Sequence, residues 1–383
     1  MRQDIKLYKH IVFGDEHYNP LGIIRSLGES GITPILIAIK GKTRITSKSK
    51  YVKEIHFVDS MEDGLSILLT RFADPNEKSF LYTSDDKKES LLDNHYEELK
   101  DYFIFFNAGQ SGRVNYYMNK KNIGDLAVEC GLNFLKSWVV KKGEIPSDIT
   151  FPVLTKTIAS TVGAWKDDSY ICRNEEELKE AYVKITCDDI LLQKYIDKKN
   201  EIAYEGYSVN HGKNVFLSIE TDYDYLIPNY YSPYMTVHNI RHQELVEPLN
   251  RMFGAIGFEG IFEVEFLVDQ DDTLYFGEIN FRNSTWSYAS TIAGMPLPVL
   301  WAKHMLDNSL SNLEDDRIEH EDFHAMVELY DFRERVIKGK ISVVTWVKER
   351  AKCNCLYFKN KVDPKPYYSL ILSILKRKIL RGC

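Results

Sequence analysis

Three polar side chains alternate along a short strand-like segment, YFGEINFRNS, at residues 275–284. Glu278, Asn280 and Arg282 are separated by single apolar residues. Because the side chains of a strand alternate between its two faces, a strand here places all three on one face. A carboxylate, an amide and a guanidinium in a row are typical of a site that binds a cation and an anion together.

A second acidic strand, IFEVEFLVD, lies just before this segment, and the dipeptide Asp-Asp at 271–272 separates the two. Such a dipeptide between two strand-like runs is typical of a tight hairpin turn. Antiparallel pairing about the turn places Glu265 opposite Glu278 and Glu263 opposite Asn280. The sequence therefore predicts a hairpin on which three carboxylates and one amide share a face.

Like charges that face each other across two strands destabilise a sheet, so three carboxylates on one face need a positive partner. Oxygen ligands from two carboxylates and an amide suit Mg²⁺, which keeps several waters and shares its coordination shell with substrate phosphates. Arg282 adds a fork for phosphate oxygens. A solvated polar face on an edge hairpin is the alternative. The apolar opposite face favours the metal site.

Composition excludes some classes of function. The 383 residues contain 49 Lys and Arg against 56 Asp and Glu, a net charge of −7. The chain lacks the basic excess that nucleic-acid binding needs, so we do not expect a nucleic-acid-binding protein. The six cysteines form no CxxC pair, and the N-terminus lacks the apolar stretch of a signal peptide. We therefore predict a cytoplasmic protein.

The segments around the hairpin predict several domains. Over the first hundred residues, apolar strand-like runs alternate with amphipathic stretches, which indicates a parallel sheet with flanking helices. A single glycine, Gly14, follows the first strand, so the three-glycine dinucleotide fingerprint is absent. Helices and antiparallel strands follow. We predict an α/β and α+β protein with four parts: an α/β domain at 1–114, a lobe at 115–190, a second lobe with the hairpin at 191–310, and a small C-terminal appendix at 311–383.

The order of five short motifs resembles the ATP-grasp superfamily. The motifs are M-N-K at 118–120, P-V-L-T-K at 152–156, L-L-Q-K-Y-I at 191–196, V-E-F at 264–266 and E-I-N-F-R at 278–282. The resemblance covers roughly residues 1–310 and is strongest to the carboxylate–amine ligase branch, in its carbamoyl-phosphate-synthetase-like and D-aspartate-ligase-like members. It implies a pre-ATP-grasp α/β domain, followed by two lobes that clasp ATP.

The resemblance also implies roles for single residues. The ATP contacts it implies come from Lys120, Lys156, Gln193, the backbone of Lys194, Tyr195 and Ile196, and Glu201. The implied Mg²⁺ ligands are Glu265, Glu278 and Asn280, and the implied catalytic residues beside the transferred phosphoryl group are Arg282 and Lys156. The implied reaction converts a carboxylate into an acyl phosphate, which an amine then attacks, so the protein positions groups and neutralises charge.

Three departures from the family pattern leave other functions open. The expected phosphate-covering loop, IASTVGAWKDD, is poor in glycine, and Gln193 stands where the family usually has an acidic residue. Glu263 occupies a position that is an arginine in D-alanine-ligase-type relatives, so the substrate chemistry of that subgroup does not transfer. The alternatives to an active ligase are a nucleotide-binding interaction protein without catalysis and an ATP-dependent phosphotransferase.

The substrates are less well indicated by the sequence. A tyrosine-rich segment between the ATP hinge and the hairpin, DYDYLIPNYYSPYMTVHNIRHQ, contains the candidates Tyr230, Tyr231, His238 and Arg241. Ser284 and Trp286 follow the hairpin and are candidates near the acceptor. Packing against a neighbouring domain is the alternative for each aromatic residue. We expect a small-molecule carboxylate and an amine, with an amino acid or a uronic acid of surface-glycan or peptide biosynthesis as the carboxylate.

The C-terminal stretch SLILSILKRKILRGC predicts a basic amphipathic helix. Leu370, Ile371, Ile374 and Leu375 form an apolar stripe beside a run of Lys and Arg residues. Such a helix either lies on an anionic membrane, as a peripheral contact at its cytoplasmic face, or docks onto the body of the protein or onto a second subunit of a homo-oligomer. Docking is the ordinary case and is favoured.

Overall fold

The computed structural model describes residues 4–41, 43–158, 168–228, 230–307 and 312–381. The first domain is a five-stranded parallel sheet with strand order β3-β2-β1-β4-β5 and flanking helices. In chain order its elements are β1 (His10–Gly14), α1 (Tyr18–Glu29), β2 (Ile35–Ile39), β3 (Glu54–Val58), α2 (Met61–Ile67), β4 (Ser79–Thr83), α3 (Asp86–Asn94), α4 (Tyr96–Leu99) and β5 (Phe103–Phe105).

The central strand of this sheet, β1, is almost continuously apolar in sequence. Every residue of β1 is buried, because helices cover both faces of a parallel sheet. The strand ends at Gly14, where a Cβ atom would lie 2.7 Å from Cβ of Pro20, so the chain turns into α1 at a position that requires glycine. The predicted parallel α/β domain is confirmed.

The next part of the chain forms a four-stranded antiparallel sheet of order β6-β9-β7-β8 with three helices. Its elements are α5 (Arg113–Met118), α6 (Lys120–Glu129), β6 (Ser137–Lys141), β7 (Val153–Thr157), β8 (Ile171–Cys172), α7 (Glu175–Lys184) and β9 (Asp189–Lys194). Asparagine side chains cap two of these helices, since Asn119 accepts from the backbone of Lys121 and Asn174 accepts from the backbone of Glu177.

The third part is a seven-stranded sheet of order β14-β13-β10-β11-β12-β15-β16, antiparallel except between its last two strands. Its elements up to β15 are β10 (Asn200–Val209), β11 (Asn214–Tyr223), β12 (Tyr234–His238), α8 (Val246–Ile256), β13 (Gly260–Val268), β14 (Leu274–Asn280), α9 (Ser287–Ile292), α10 (Leu297–Met305) and β15 (Phe323–Met326). The predicted hairpin of β13 and β14 thus forms one edge of this sheet.

The C-terminal part contributes strands to the same sheet. It contains α11 (Glu328–Asp331), α12 (Val343–Lys352), β16 (Cys355–Leu356) and α13 (Lys365–Arg381). Because β15 and β16 extend the seven-stranded sheet, the segment predicted as a separate appendix is built partly into the second lobe. The described part of the chain contains no helix that is long and apolar enough to cross a membrane.

Buried contacts join the first domain to the rest of the molecule. The indole of Trp301, in α10, packs edge to face on the rings of Tyr82 and Phe106, with centroid distances of 5.4 Å and 4.9 Å. Nε of Arg25 lies 3.2 Å from Oδ2 of Asp363, and both side chains are fully buried. The parallel sheet, the seven-stranded sheet and the C-terminal segment therefore share one core.

Candidate active site

The hairpin has the predicted pairing where the polar residues lie. Glu263 pairs with Asn280, and Glu265 pairs with Glu278. A bulge between Glu265 and Phe266 shifts the register toward the turn by one residue, which the sequence analysis did not predict. The bulge leaves the acidic pairs intact, so three carboxylates and the amide share one face.

The neighbouring strand β10 adds further carboxylates to this face. Glu205 pairs directly with Glu263, and Ala203 pairs with Glu265. Because side chains alternate along a strand, Glu201, two residues before Ala203, points the same way. We call the resulting surface the carboxylate face; its acidic residues are Glu201, Glu205, Glu263, Glu265 and Glu278.

The charges on the carboxylate face are poorly compensated. Burial raises the pKa of Glu205 to about 7, and burial together with Glu205 raises the pKa of Glu263 to about 8. The pKa of Glu265 lies well above its ordinary value because of burial and the neighbouring carboxylates Glu278 and Glu263. A cation bound here would favour the ionised carboxylates over the protonated ones.

Asn280 and Arg282 are joined to this group by hydrogen bonds. Nδ2 of Asn280 donates to Oε2 of Glu263 at 2.8 Å and to Oε1 of Glu265 at 3.1 Å. The guanidinium of Arg282 donates to Oδ1 of Asn280 at 3.0 Å and to Oδ1 of Asp86, at the start of α3, at 2.8 Å. The hairpin therefore also contacts the first domain.

Two predicted lysines converge on the hairpin from different elements. Nζ of Lys120, the first residue of α6, lies 3.2 Å from Oε2 of Glu278 and lowers the pKa of that carboxyl. Nζ of Lys156, on β7, donates to Oε1 of Gln193 at 2.8 Å. Burial and the nearby Lys120 lower the pKa of Lys156 to about 8. The site thus holds two cationic side chains suited to phosphates.

The predicted adenine hinge follows the end of β9. The backbone N–H of Lys194 donates to the carbonyl of Lys136 at 2.8 Å, and that of Tyr195 donates to the carbonyl of Pro152 at 2.9 Å. Ile196 is half-buried in the connection to β10, on which Glu201 forms an ion pair with Lys198. Residues 159–167, which make up most of the glycine-poor phosphate loop, lie outside the described residues.

Two of the substrate candidates lie on the opposite face of the sheet. Nε2 of His238 lies 2.6 Å from a carboxylate oxygen of Asp222, and Arg241 donates to Asp222 and to Glu220 at 2.8 Å each. Glu220 pairs with Tyr204, next to Ala203, so it faces away from the carboxylate face. His238 and Arg241 therefore do not converge with the hairpin carboxylates.

The aromatic candidates lie closer to the first domain. The rings of Tyr230 and Tyr231 stack at 4.6 Å, and the Tyr231 hydroxyl lies 2.5 Å from that of Tyr18 at the start of α1. The ring of Trp286 contacts that of Tyr231 edge to face at 6.3 Å. These residues form an aromatic contact between the second lobe and the first domain.

Ser284 bonds to a residue that the sequence analysis missed. The hydroxyl of Ser284 donates to Oε1 of Glu205, and that of Ser287 donates to Oε2 at 2.6 Å. Glu201, Ala203 and Glu205 alternate along β10, and this period of two could have predicted that Glu205 lies on the same face as Glu201. Glu205 extends the polar network from the hairpin to the start of α9.

A cavity of about 760 Å³ opens at the carboxyl ends of β1 and β2. Residues that line it include His17, Tyr18, Ile45, Tyr330, Arg333 and Ile374. Burial lowers the pKa of His17 to about 4, and the charges of Asp85, Arg282 and Lys88 also act on this ring. His17 is therefore within electrostatic reach of the Arg282 guanidinium.

The residues of the carboxylate face fit a magnesium ion that shares its ligands with a nucleotide. Within the described ranges, no group of three or more His, Cys, Asp or Glu side chains is arranged to hold a metal ion. A small cavity of about 20 Å³ lies beside Glu278, Asn280 and Lys120, enough for one water-sized species. Glu278, whose pKa is lowered by Lys120, and the amide of Asn280 line this space and fit a hard cation whose remaining ligands are phosphates and water.

Comparisons with known proteins find similar sequences and similar folds. Residues 139–313 match the family described as the ATP binding domain of the carbamoyl-phosphate synthase L chain. The chain is 23% identical over 217 residues to N5-carboxyaminoimidazole ribonucleotide synthase of Staphylococcus epidermidis, covering 51% of this chain and 56% of that protein. The chain thus spans about half the length of this curated relative.

Solved structures share the fold at low sequence identity. The ADP complex of N5-carboxyaminoimidazole synthetase from Staphylococcus aureus superposes with a TM-score of 0.64 and 16% identity, over 87% of this chain and 86% of that one. The L-amino acid ligase from Bacillus licheniformis superposes with a TM-score of 0.63 and 15% identity, over 83% and 79%. The predicted resemblance to the ATP-grasp superfamily is confirmed.

Proposed function

We propose that this chain, whose residues 139–313 match the ATP binding domain of the carbamoyl-phosphate synthase L chain, is an ATP-grasp ligase that uses ATP and Mg²⁺ to join a carboxylate to an amine. The observation that supports this most is the carboxylate face, where buried Glu265 and Glu263 have raised pKa values and the neighbouring Glu278 pairs with Lys120. A face of this kind is stabilised by a cation and an anion bound together.

The residues around the nucleotide divide into three roles in this proposal. Lys120 and Lys156 neutralise phosphate charge, and Gln193 orients Lys156 through their hydrogen bond. Glu265, Glu278 and Asn280 would hold Mg²⁺, which when bound withdraws charge from the phosphate oxygens. The backbone of Lys194 to Ile196 and the Glu201 carboxylate would contact the adenosine part.

Arg282 is the residue proposed to hold the carboxylate that receives the phosphoryl group. Asp86 and Glu263 raise its pKa although burial opposes this, so the guanidinium is charged throughout the physiological range. A fixed cation of this kind orients a carboxylate and stabilises the charge that develops during phosphoryl transfer. The resulting acyl phosphate is then attacked by an amine nitrogen, and inorganic phosphate leaves.

The cavity of about 760 Å³ is the proposed place for one of the two small-molecule substrates. Its size lies within the range of small-molecule sites, and it lies at the carboxyl ends of parallel strands, where ligands bind in open α/β sheets. His17 lines this cavity, and the charge of Arg282 acts on its ring. Aromatic lining residues such as Tyr18 and Tyr330 suit a substrate with an apolar portion.

The names of the relatives support the class of reaction and leave the substrate open. One relative is named for a product with a carboxyl group on an aminoimidazole nitrogen, and one structural neighbour is named as an amino acid ligase. The first name describes a carboxyl group on nitrogen, and the second describes a ligase that acts on amino acids. We propose an amino acid or a uronic acid as the carboxylate.

We also propose that the enzyme works in the cytoplasm. The cysteines that the structure describes, Cys130, Cys172, Cys187, Cys353 and Cys355, are free thiols. Free thiols are typical of proteins in a reducing compartment, where disulfides do not persist. The small-molecule pools of amino acids, sugar acids and ATP that the reaction needs are also those of a cytoplasm.

Release of ADP and phosphate tests the proposed reaction. The protein is incubated with MgATP and pools of amino acids or uronic acids, each with and without an amine pool, and Glu278→Gln is the matched control. We expect stoichiometric ADP and phosphate only when one carboxylate pool is present, and none from the variant. ADP without phosphate would indicate phosphoryl transfer to an alcohol instead. ATP binding without any turnover across all pools would favour an interaction protein without catalysis.

A further inference from the structure

The C-terminal helix α13 uses only part of its surface to pack on the molecule. Tyr367 and Leu370 pack against the common core, and Leu370 and Ile374 line the 760 Å³ cavity. The hydroxyls of Ser373 and Thr43 are 3.2 Å apart, so this face also contacts the loop after β2. The predicted docking of the helix onto the protein body is thus seen on one face.

A second apolar stripe on α13 faces solvent. Tyr368, Leu372 and Leu375 are 61%, 57% and 50% exposed. Their spacing of four and then three residues places them on one side of a helix. In the sequence, Ile379 continues the same spacing beyond the side chains that the structure describes. We call Tyr368, Leu372 and Leu375 the outer stripe.

The segment that contains α13 is strongly basic, although the whole chain is acidic. Residues 333–383 contain 14 Lys or Arg residues and 3 Asp or Glu residues, a net charge of +11 in a chain of net charge −7. The residues before position 333 therefore total −18. Lys365 and Lys376 flank the outer stripe, and Arg377, Lys378 and Arg381 follow it in the sequence.

The combination of this charge with exposed apolar side chains indicates which partner fits. A nucleic acid would meet the positive charge but offers no apolar layer to a stripe of leucines. A second copy docked through the same face would bring the two basic segments together and repel. Anionic lipid headgroups over an acyl layer match both properties at once.

We propose that α13 binds the surface of an anionic phospholipid bilayer, with the outer stripe inserted among the headgroups and its lysines near the lipid phosphates. The helix then lies in the plane of the membrane surface, because its other face remains packed on the core and around the cavity. This inference concerns where the protein works, goes beyond the proposed reaction and does not depend on it.

Sedimentation with vesicles tests the inference on the full chain. Vesicles of phosphatidylcholine alone are compared with vesicles of phosphatidylcholine and phosphatidylglycerol, each at low and at high salt. We expect binding to the mixed vesicles at low salt, at least about a tenfold loss of binding at high salt, and no binding to phosphatidylcholine alone. Equal binding to both vesicle types, or no binding to either, would overturn the proposal.

Matched variants separate the outer stripe from the general charge. Leu372→Ser with Leu375→Ser removes apolar area at exposed positions, so the fold is retained, and we expect at least about a tenfold weaker partition into mixed vesicles. The control is Val128→Ser with Val183→Ser, which changes two exposed valines, 57% and 83% accessible, on α6 and α7. This control should bind vesicles as the unchanged protein does, and both variants should keep the thermal midpoint of unfolding.

Three results would contradict the membrane surface specifically. Equal vesicle binding by the stripe variant and the control would show that charge alone is responsible. A dimer in light scattering that the stripe variant converts to a monomer, with no vesicle binding, would assign the stripe to a second copy. Binding to a polyanionic RNA that the stripe variant retains, again without vesicle binding, would assign the basic segment to nucleic acid.

Discussion

The seven-stranded sheet has an acidic cluster on each of its two faces, and the clusters differ in how their charge is balanced. On the carboxylate face, Glu205, Glu263 and Glu265 lie beside one another, and burial raises all three pKa values. On the opposite face, Asp222 lies between His238 and Arg241, and these partners hold its pKa below the ordinary value although burial opposes them.

This difference shows that an acidic cluster marks a binding site only when its charge is left unbalanced. The opposite face is complete within the protein, because each buried carboxylate has cationic partners at hydrogen-bond distance. The carboxylate face has fewer cations than acids, so a bound cation would stabilise it.

Replacement of a carboxylate at the hairpin should remove activity without loss of stability. We expect Glu265→Gln to lower the rate of ADP release about 10²–10³-fold, the usual cost of removing a group that stabilises transition-state charge. The variant should unfold at the same temperature or higher in the absence of nucleotide, since one of several like charges is gone. Product release and thermal unfolding measure the two effects. Activity within threefold of the unchanged protein would contradict the assigned role.

The same replacement on the opposite face should have the reverse effect. The carboxylate of Glu220 is fully buried and accepts hydrogen bonds from Arg241 and His242. We expect Glu220→Gln to lower the free energy of unfolding by about 2 kcal/mol, below the usual cost of a broken buried pair because Arg241 and His242 are partly exposed. Denaturant unfolding measures this, and ADP release should change less than twofold. A stable but inactive variant would place function on this face.

The two faces should also differ in how they respond to pH. The folded-state pKa of Glu205 is about 7, above its ordinary value of 4.5, so the folded protein keeps a proton that the unfolded chain releases. Its contribution to the free energy of unfolding therefore falls as pH rises from about 4.5 to about 7. Asp222 has the opposite shift, so its contribution is present above its ordinary value of 3.8 and is lost in more acidic solution.

Denaturant unfolding at several pH values between 5 and 8 tests this contrast without nucleotide. The unchanged protein should lose stability across that window, and Glu205→Gln should flatten the decline, whereas the ionisation of Asp222 itself lies below the window. A slope that is the same in the Glu205 variant would mean that this carboxyl is already ionised in the folded protein.

The smallest expected effect concerns the proton on Lys156. Its pKa of about 8 means that at pH 8 about half of the molecules contain the neutral amine. Bound phosphates favour the charged form, so nucleotide binding at pH 8 should take up to about half a proton from solution. Calorimetric titrations in buffers of different ionisation enthalpy measure this uptake. Lys156→Met should abolish it, and an unchanged uptake would assign the proton to another group.

The hairpin is the part of the site that the sequence predicted best. A strand period of two and a turn dipeptide are local properties, so the pairs Glu263–Asn280 and Glu265–Glu278 followed from residue spacing alone. Helix caps are local in the same way, as at Asn119 before α6 and Asn174 before α7. The fold class and the superfamily were also available, because the motif order is distinctive.

Features that depend on distant partners could not be predicted in this way. The sequence does not show on which face of the sheet the side chains near β12 lie. His238 and Arg241 were therefore candidates, although they form ion pairs with Asp222 on the opposite face. The contact of Arg282 with Asp86 joins residues from two domains. The bulge beside Glu265 depends on packing rather than on the strand period.

The effect of magnesium on ADP affinity tests the central claim most directly. Titration calorimetry compares ADP binding with and without Mg²⁺ in the unchanged protein, in Glu265→Gln and in Glu220→Gln. Unbalanced charge on the carboxylate face predicts that Mg²⁺ tightens ADP binding by about tenfold or more in the unchanged protein and in Glu220→Gln, and has no effect in Glu265→Gln. The same tightening in all three proteins would contradict the claim that this face provides the metal site.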